Sequence, residues 1–170
     1  MRIATFALFL GLAYISAGVL GLVPAALLPA PADAPPTRYT ALYGYLLGLF
    51  PVNALHSIVH LGIGIWGVMG WRRIASPKFF ARAIAIFYGV LAVLGLIPGV
   101  NTLFGLLPIH GHDVWLHGAT AIVAAYFGWR TEHEVERRAY PAPDRREHSV
   151  PVAHGRRFGH GDRRLPTSEV

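Results

Sequence analysis

Four long apolar segments, set in a stretch almost empty of charge, constrain this chain more than any other feature. Between residues 1 and 130 the ionisable acids and bases other than histidine are Arg2, Asp33, Arg38, Arg72, Arg73, Lys78, Arg82, Asp113 and Arg130, and the last 40 residues hold the other fifteen. A bilayer core of about 30 Å is crossed by about 20 apolar helical residues rising about 1.5 Å each. Four segments have that length: Ile3 to Val23, Val52 to Trp71, Phe79 to Ile97 and Ile109 to Trp129. The fourth is the least apolar, because its polar residues crowd into the first two turns. The expected fold class is all-α, a four-transmembrane-helix bundle over residues 1–130. A composition of 54% hydrophobic and 14% charged residues fits that class, since soluble domains carry about a quarter charged residues.

Basic residues near the span ends set the expected orientation. Arg2, Arg72, Arg73, Lys78, Arg82 and Arg130 share one side and Arg38 sits on the other, which places both termini in the cytoplasm of a multi-pass cell-membrane protein. Arg82 is expected to reach the headgroups by its long stem. Trp71, Phe79, Phe80, Tyr126 and Trp129 then form an inner aromatic belt. The outer loop Pro29 to Phe50 contains an apolar stretch too short to span, expected to lie in the interface. A cleaved secretory leader is the rival reading of the N-terminus, from Met1-Arg2 and Pro31-Ala32-Asp33-Ala34. The apolar run exceeds the 7 to 15 residues of a typical leader, which favours a retained span.

From Thr131 the chain turns to Arg, Glu, His and Pro, and eight Arg offset seven acids. Residues 131–170 are expected to form a disordered cytoplasmic tail. His133, His148, His154 and His160 are too scattered there for a compact metal motif. The pI near 10.2 comes from short basic loops and this mixed tail, with no continuous basic face, so nucleic acid is excluded as a partner and the lipid bilayer is the expected one. Zero Cys excludes disulfides, thiolate metal sites and Cys nucleophiles.

The chain repeats itself. Gly48-Leu49-Phe50-Pro51-Val52 matches Gly105-Leu106-Leu107-Pro108-Ile109 at a shift of 57, which also sets His60 on His117. Val19-Leu20-Gly21-Leu22-Val23-Pro24 matches Val93-Leu94-Gly95-Leu96-Ile97-Pro98 at a shift of 74, which sets Tyr14 on Tyr88. The pattern reads as two tandem helical hairpins of the same orientation, related by an axis along the membrane normal. Helical spacing lines up Asn53, His56, His60, Gly64 and Gly67 on the second span, and the shift of 57 lines up His110, Asp113, His117, Ala121 and Ala124 on the fourth. The two stripes are expected to face each other, with Tyr14 and Tyr88 at comparable depth. Pro51 and Pro108 are expected to start the two helices, where proline lacks only an amide that needs no partner.

Phe50-Pro51-Val52-Asn53-Ala54-Leu55-His56-Ser57-Ile58-Val59-His60, with Asp113-Val114-Trp115-Leu116-His117 further on, resembles the bacterial four-span membrane family catalogued as domain of unknown function 4383. The resemblance covers roughly residues 3 to 130. It implies a four-helix membrane protein and no assigned activity.

Three readings of the stripe compete. In the first, the polar groups hydrogen-bond one another across the bundle, each contact contributing about 0.6 to 2 kcal/mol. In the second they hold a cofactor: His56, His60, Asp113 and His117 a transition metal, or His60 and His117 the axial positions of haem b, with Tyr14 and Tyr88 beside them. Asn53 and His110 complete the stripe without a ligand role. In the third the cluster conducts protons or a small solute. The leading expectation is a small membrane scaffold or binding module. Enzyme chemistry has little support: Ser57 points about 100° away from His56 on a helix, and there is no Gly-rich phosphate loop. Ligand identity and homo-oligomer formation stay open.

Overall fold

The computed structural model describes residues 2–139, and side chains through residue 129. The protein is mostly helical. Helix α1 is Ile3–Gly21, followed by a 3-10 turn at Pro24–Ala26 and three short strands, β1 (Leu27–Leu28), β2 (Gly44–Leu46) and β3 (Phe50–Val52). Helices α2 (Ala54–Trp71), α3 (Pro77–Gly95) and α4 (His112–Ala139) complete the described residues. Helices α1, α2 and α3 are long and apolar enough to cross a membrane. Phe9, Leu12, Ile58, Ile65, Ile86, Val90, Ile122 and Val123 are exposed on the helix surfaces, an apolar girdle that suits lipid.

The most extensive helix contacts join α1 to α2 and α3 to α4. Glycine makes the first of these possible. A Cβ built on Gly11 would lie 2.8 Å from the carbonyl oxygen of Gly64, and one on Gly64 would lie 2.7 Å from that of Gly11. Backbones that close admit no side chain between them. Gly67 approaches the Ala7 carbonyl in the same way, at 2.7 Å. This corrects the expected stripe: Gly64 and Gly67 face α1, their hairpin partner, while a Cβ on Gly89 of α3 would lie 3.9 Å from that of Ala121. The small residues serve packing within hairpins. Phe6, Ala7, Phe80, Ala81, Ile84, Ala85 and Ala124 fill the core below.

Phe80 is fully buried and packs edge-on against Trp66 at 5.1 Å, so it leaves the expected aromatic belt, whereas Trp71, Phe79, Tyr126 and Trp129 are exposed. Arg82 has partners at the end of α4: its Nε donates to the Gly128 carbonyl at 3.0 Å and its guanidinium lies 5.3 Å from the Trp129 ring centroid.

The segment between α1 and α2 forms an antiparallel sheet of order β1-β2-β3, with Leu27 opposite Leu46 and Tyr45 opposite Pro51, which the sequence did not announce. Gly48, at φ +72°, makes the tight turn, and Leu46 and Val52 turn inward. Pro51 is tolerated because β3 is an edge strand. Neither Pro51 nor Pro108 starts a helix. The Asn53 side chain accepts from the His56 amide and begins α2 at Ala54, and Gly111, at φ +65°, delays α4 to His112. At its far end α4 continues to Ala139, past the expected end at Trp129, through Glu, Arg and Ala that favour helix. The rest of the expected tail, with His148, His154 and His160, lies outside the described residues, as does the side chain of His133.

The loops entering α2 and α4 share hydrogen bonds at the shift of 57. Gly48 N donates to Tyr45 O and Leu49 N to Leu46 O, as Gly105 N does to Thr102 O and Leu106 N to Leu103 O. Gly105, like Gly48, has positive φ, at +88°. The ends of α1 and α3 correspond at the shift of 74: Leu22 N to Val19 O and Val23 N to Leu20 O, against Leu96 N to Val93 O and Ile97 N to Leu94 O.

Candidate functional site

Each histidine position follows from how its helix starts. Asn53 is fully buried, and its Oδ1 accepts the His56 amide at 2.9 Å. Its Nδ2 donates to the carbonyls of Tyr39 at 3.1 Å and Leu106 at 2.7 Å, tying the start of α2 to both outer loops. His56 then lies in the first turn of α2 and His60 one turn deeper. On α4, Asp113 takes the first turn, where the helix N-terminus favours a carboxylate, and His117 lies one turn deeper.

The two helices bring these residues together. One ring nitrogen from each of His56, His60 and His117 lies within 4.8 Å of the others, and all three residues are buried. The His56 and His60 ring centroids are 4.4 Å apart and those of His56 and His117 6.3 Å. Asp113 is not one of the three. Its Oδ2 faces Nε2 of His56 at 3.8 Å, behind the ring. Tyr14 packs on His60 at 5.0 Å, Tyr88 on His117 at 4.8 Å, and the two tyrosines meet at 5.3 Å. The pairs Tyr14 with His60 and Tyr88 with His117 are equivalent under the two repeat shifts.

His110 stands apart. It precedes α4, so it does not share a helical face with Asp113 and His117, and its ring is 6.3 Å from that of Tyr45. Burial pushes its pKa below the ordinary histidine value. In the outer sheet, burial and then the neighbouring Tyr43 push the Tyr45 phenol up to about 12.

Nδ1 of His56, His60 and His117 and Oδ2 of Asp113 are buried with no hydrogen-bond partner in the protein. Buried polar atoms are paired in the great majority of cases, so unpartnered nitrogens and a carboxylate oxygen gathered in one cluster set this place apart from the rest of the core. Neutral imidazole is a ligand for zinc, copper, iron and nickel. In a tetrahedral centre with metal–nitrogen bonds of about 2.0–2.1 Å, ligand nitrogens stand about 3.4 Å apart. Small ring rotations reach that spacing from one of at most 4.8 Å. The Asp113 carboxylate lies on the far side of His56 at 3.8 Å, an electrostatic neighbour beyond hydrogen-bond distance.

A cavity of about 100 Å³ adjoins the three histidine rings and Tyr88. Its remaining wall comes from Val59, Phe87, Leu91, Leu103, Leu107 and Ile109. Sequence reasoning missed the contribution of the loop residues Leu103 and Leu107. The repeated Gly-Leu-x-Pro block was the available signal, since it marks the turn that folds this loop back over α4.

One family model, described as a domain of unknown function (DUF4383), matches residues 4–130. No curated protein matches, and no solved structure matches.

Proposed function

The chain belongs to the family of domain of unknown function 4383, and from that premise we propose that it is a four-span integral membrane protein that holds a transition-metal ion at His56, His60 and His117. The observation that carries this reading is the set of three buried imidazoles with nitrogens within 4.8 Å and no protein partner at Nδ1. Asp113 supplies a carboxylate 3.8 Å from His56, and Tyr14 and Tyr88 pack on the rings of His60 and His117. Helix α4 is the fourth span: its polar side chains turn into the site and Trp115, Ile122 and Val123 turn outward. The two hairpins are tandem copies, a reading supported by the shared loop hydrogen bonds. Both termini are cytoplasmic, on the side of the basic residues.

Hydrogen bonding across the bundle accounts less well for the cluster, because it leaves four buried polar atoms unpaired. Conduction is less well supported too. The bundle between the tyrosines and the basic ends is filled by Phe6, Ala7, Phe80, Ala81 and Ile84, none of which can carry a proton.

Metal analysis of the full chain, purified in detergent after exposure to zinc, copper and iron salts, tests the proposal. About one ion per chain is expected, falling sharply in His60→Ala and His117→Ala, and Asp113→Asn should weaken affinity by about 10- to 100-fold, as loss of an outer carboxylate does at metal sites. A helical, monodisperse wild type with substoichiometric metal would overturn it.

A further inference from the structure

A second and larger space lies at the outer end of the molecule, apart from the histidines. It is a cleft of about 520 Å³ between two loops, one at Pro35 to Arg38 and the other at Pro98 to Gly105. That volume falls within the roughly 300–1,000 Å³ of small-molecule sites. The loops are tied together at one atom: the Gly105 carbonyl oxygen accepts from the Arg38 amide at 2.8 Å, the Tyr39 amide at 3.0 Å and the Thr37 hydroxyl at 2.9 Å. Position 105 needs glycine, because its φ is +88° and a Cβ there would lie 2.7 Å from Cγ of Arg38. Arg38 is thus laid across the second loop as part of the cleft wall.

The side chains of this wall offer hydrogens. Among the described residues Arg38 has no ion-pair partner and the Asn101 side chain no hydrogen bond. Thr102 Oγ1 accepts from the Gly105 amide at 3.2 Å, which leaves its O–H to donate, and Asp33, the acid of the outer loops, is not in the wall. One guanidinium with neutral donors beside it suits an anion of single charge with several oxygens, and Arg takes phosphate oxygens in pairs. The cleft also runs into hydrocarbon. Ile86, Val90, Val93 and Ile97 recur at helical spacing along α3 and the turn after it, all of them exposed, and the strip ends at Pro98 in the cleft wall. Phe104, also in the wall, is 74% exposed. Resting on the four-span reading but independent of the metal, we propose that this cleft binds the phosphodiester headgroup of a phospholipid from the leaflet at this end of the bundle. Arg38 and Asn101 hold the phosphate oxygens, and an acyl chain lies along Ile86, Val90 and Val93.

Native mass spectrometry of the full chain in detergent, titrated with phosphatidylglycerol, tests this. The wild type should take one phospholipid well before any further adduct. Arg38→Gln, which keeps the stem and the backbone amide, should weaken that first adduct by at least about 10-fold, and Asn101→Leu by about 2- to 10-fold, both at unchanged helicity. Glycerophosphoglycerol, the same headgroup without acyl chains, should bind at least about 100-fold more weakly than the lipid. A first adduct unchanged in Arg38→Gln, no preferred first adduct, or equal binding of the soluble diester overturns the proposal and leaves the spans standing. A chain that stays monodisperse in water without detergent overturns the span reading and this one with it.

Discussion

Asn53→Ala should loosen the whole outer end of the bundle, because one buried amide joins three segments there. The wild-type Oδ1 caps α2 through the His56 amide, and Nδ2 spends both hydrogens on the carbonyls of Tyr39 and Leu106. Loss of the cap costs about 1 kcal/mol, and each of two buried hydrogen bonds about 1 kcal/mol. Allowing for non-additivity within one network, the total is about 2 to 4 kcal/mol. Asn53→Asp is the sharper perturbation. Asp caps helices as well as Asn does, so helix capping alone predicts no change. A carboxylate has no N–H to give, however, and would face two carbonyl oxygens in a fully buried place. The aspartate variant should therefore be at least as unstable as the alanine variant. Unfolding of the full chain in micelles by heat or dodecyl sulfate, read by circular dichroism, measures both. An Asn53→Asp protein within about 0.5 kcal/mol of wild type would refute the argument, since that would mean the two carbonyls do not depend on the amide.

Gly64→Val should separate α1 from α2 and cost at least about 1 to 3 kcal/mol, because its Cβ meets the Gly11 carbonyl, whereas Gly62→Ala, with nothing within 4 Å, should not destabilise the protein in the same assay. Reporter fusions after Pro35, Ala75, Gly99 and Val150 should read outside, inside, outside and inside, and an inside signal at Pro35 would reverse the topology. His110 has a folded pKa below its unfolded one, so above about pH 6.5 it costs nothing, and as pH falls below that the unfolded chain takes up the proton first and stability drops. His110→Gln should lose less stability than wild type between about pH 7 and about pH 5, measured by the same unfolding assay.

The three helices long and apolar enough to cross a membrane were legible because apolar length is a property of the sequence alone, and the starts of α2 and α4 shifted where a local group decided them: the Asn53 side chain and Gly111. The meeting of His56, His60 and His117 was legible too, since helical spacing and an internal repeat together place residues in three dimensions. Which of the polar residues would be nearest neighbours was not. Asp113 and His117 share a stripe, but one turn of helix puts the carboxylate behind His56 and the imidazole beside it, a difference of rotation that spacing does not resolve. The short sheet was hidden for a similar reason. Its strands are two or three residues long, and their pairing depends on a turn at Gly48 and on partners far along the chain. The inward turn of Phe80 and the tethering of Arg82 depend on which sides of α3 meet Trp66 of α2 and Gly128 of α4, which composition at a membrane boundary does not encode.

On the tandem-hairpin reading proposed above, His56 and Asp113 are equivalent positions, one histidine, the other aspartate, and they face each other. Two identical hairpins associating about a true twofold could only set like against like. Two imidazoles would compete for the same role, and two carboxylates at that distance in a dry interior would repel once both lost their protons. A single polypeptide that carries both hairpins escapes this restriction, because each half can change without the other. Unlike residues can then meet, and the cluster is asymmetric: the carboxylate stands on the α4 side and the imidazole it faces on the α2 side.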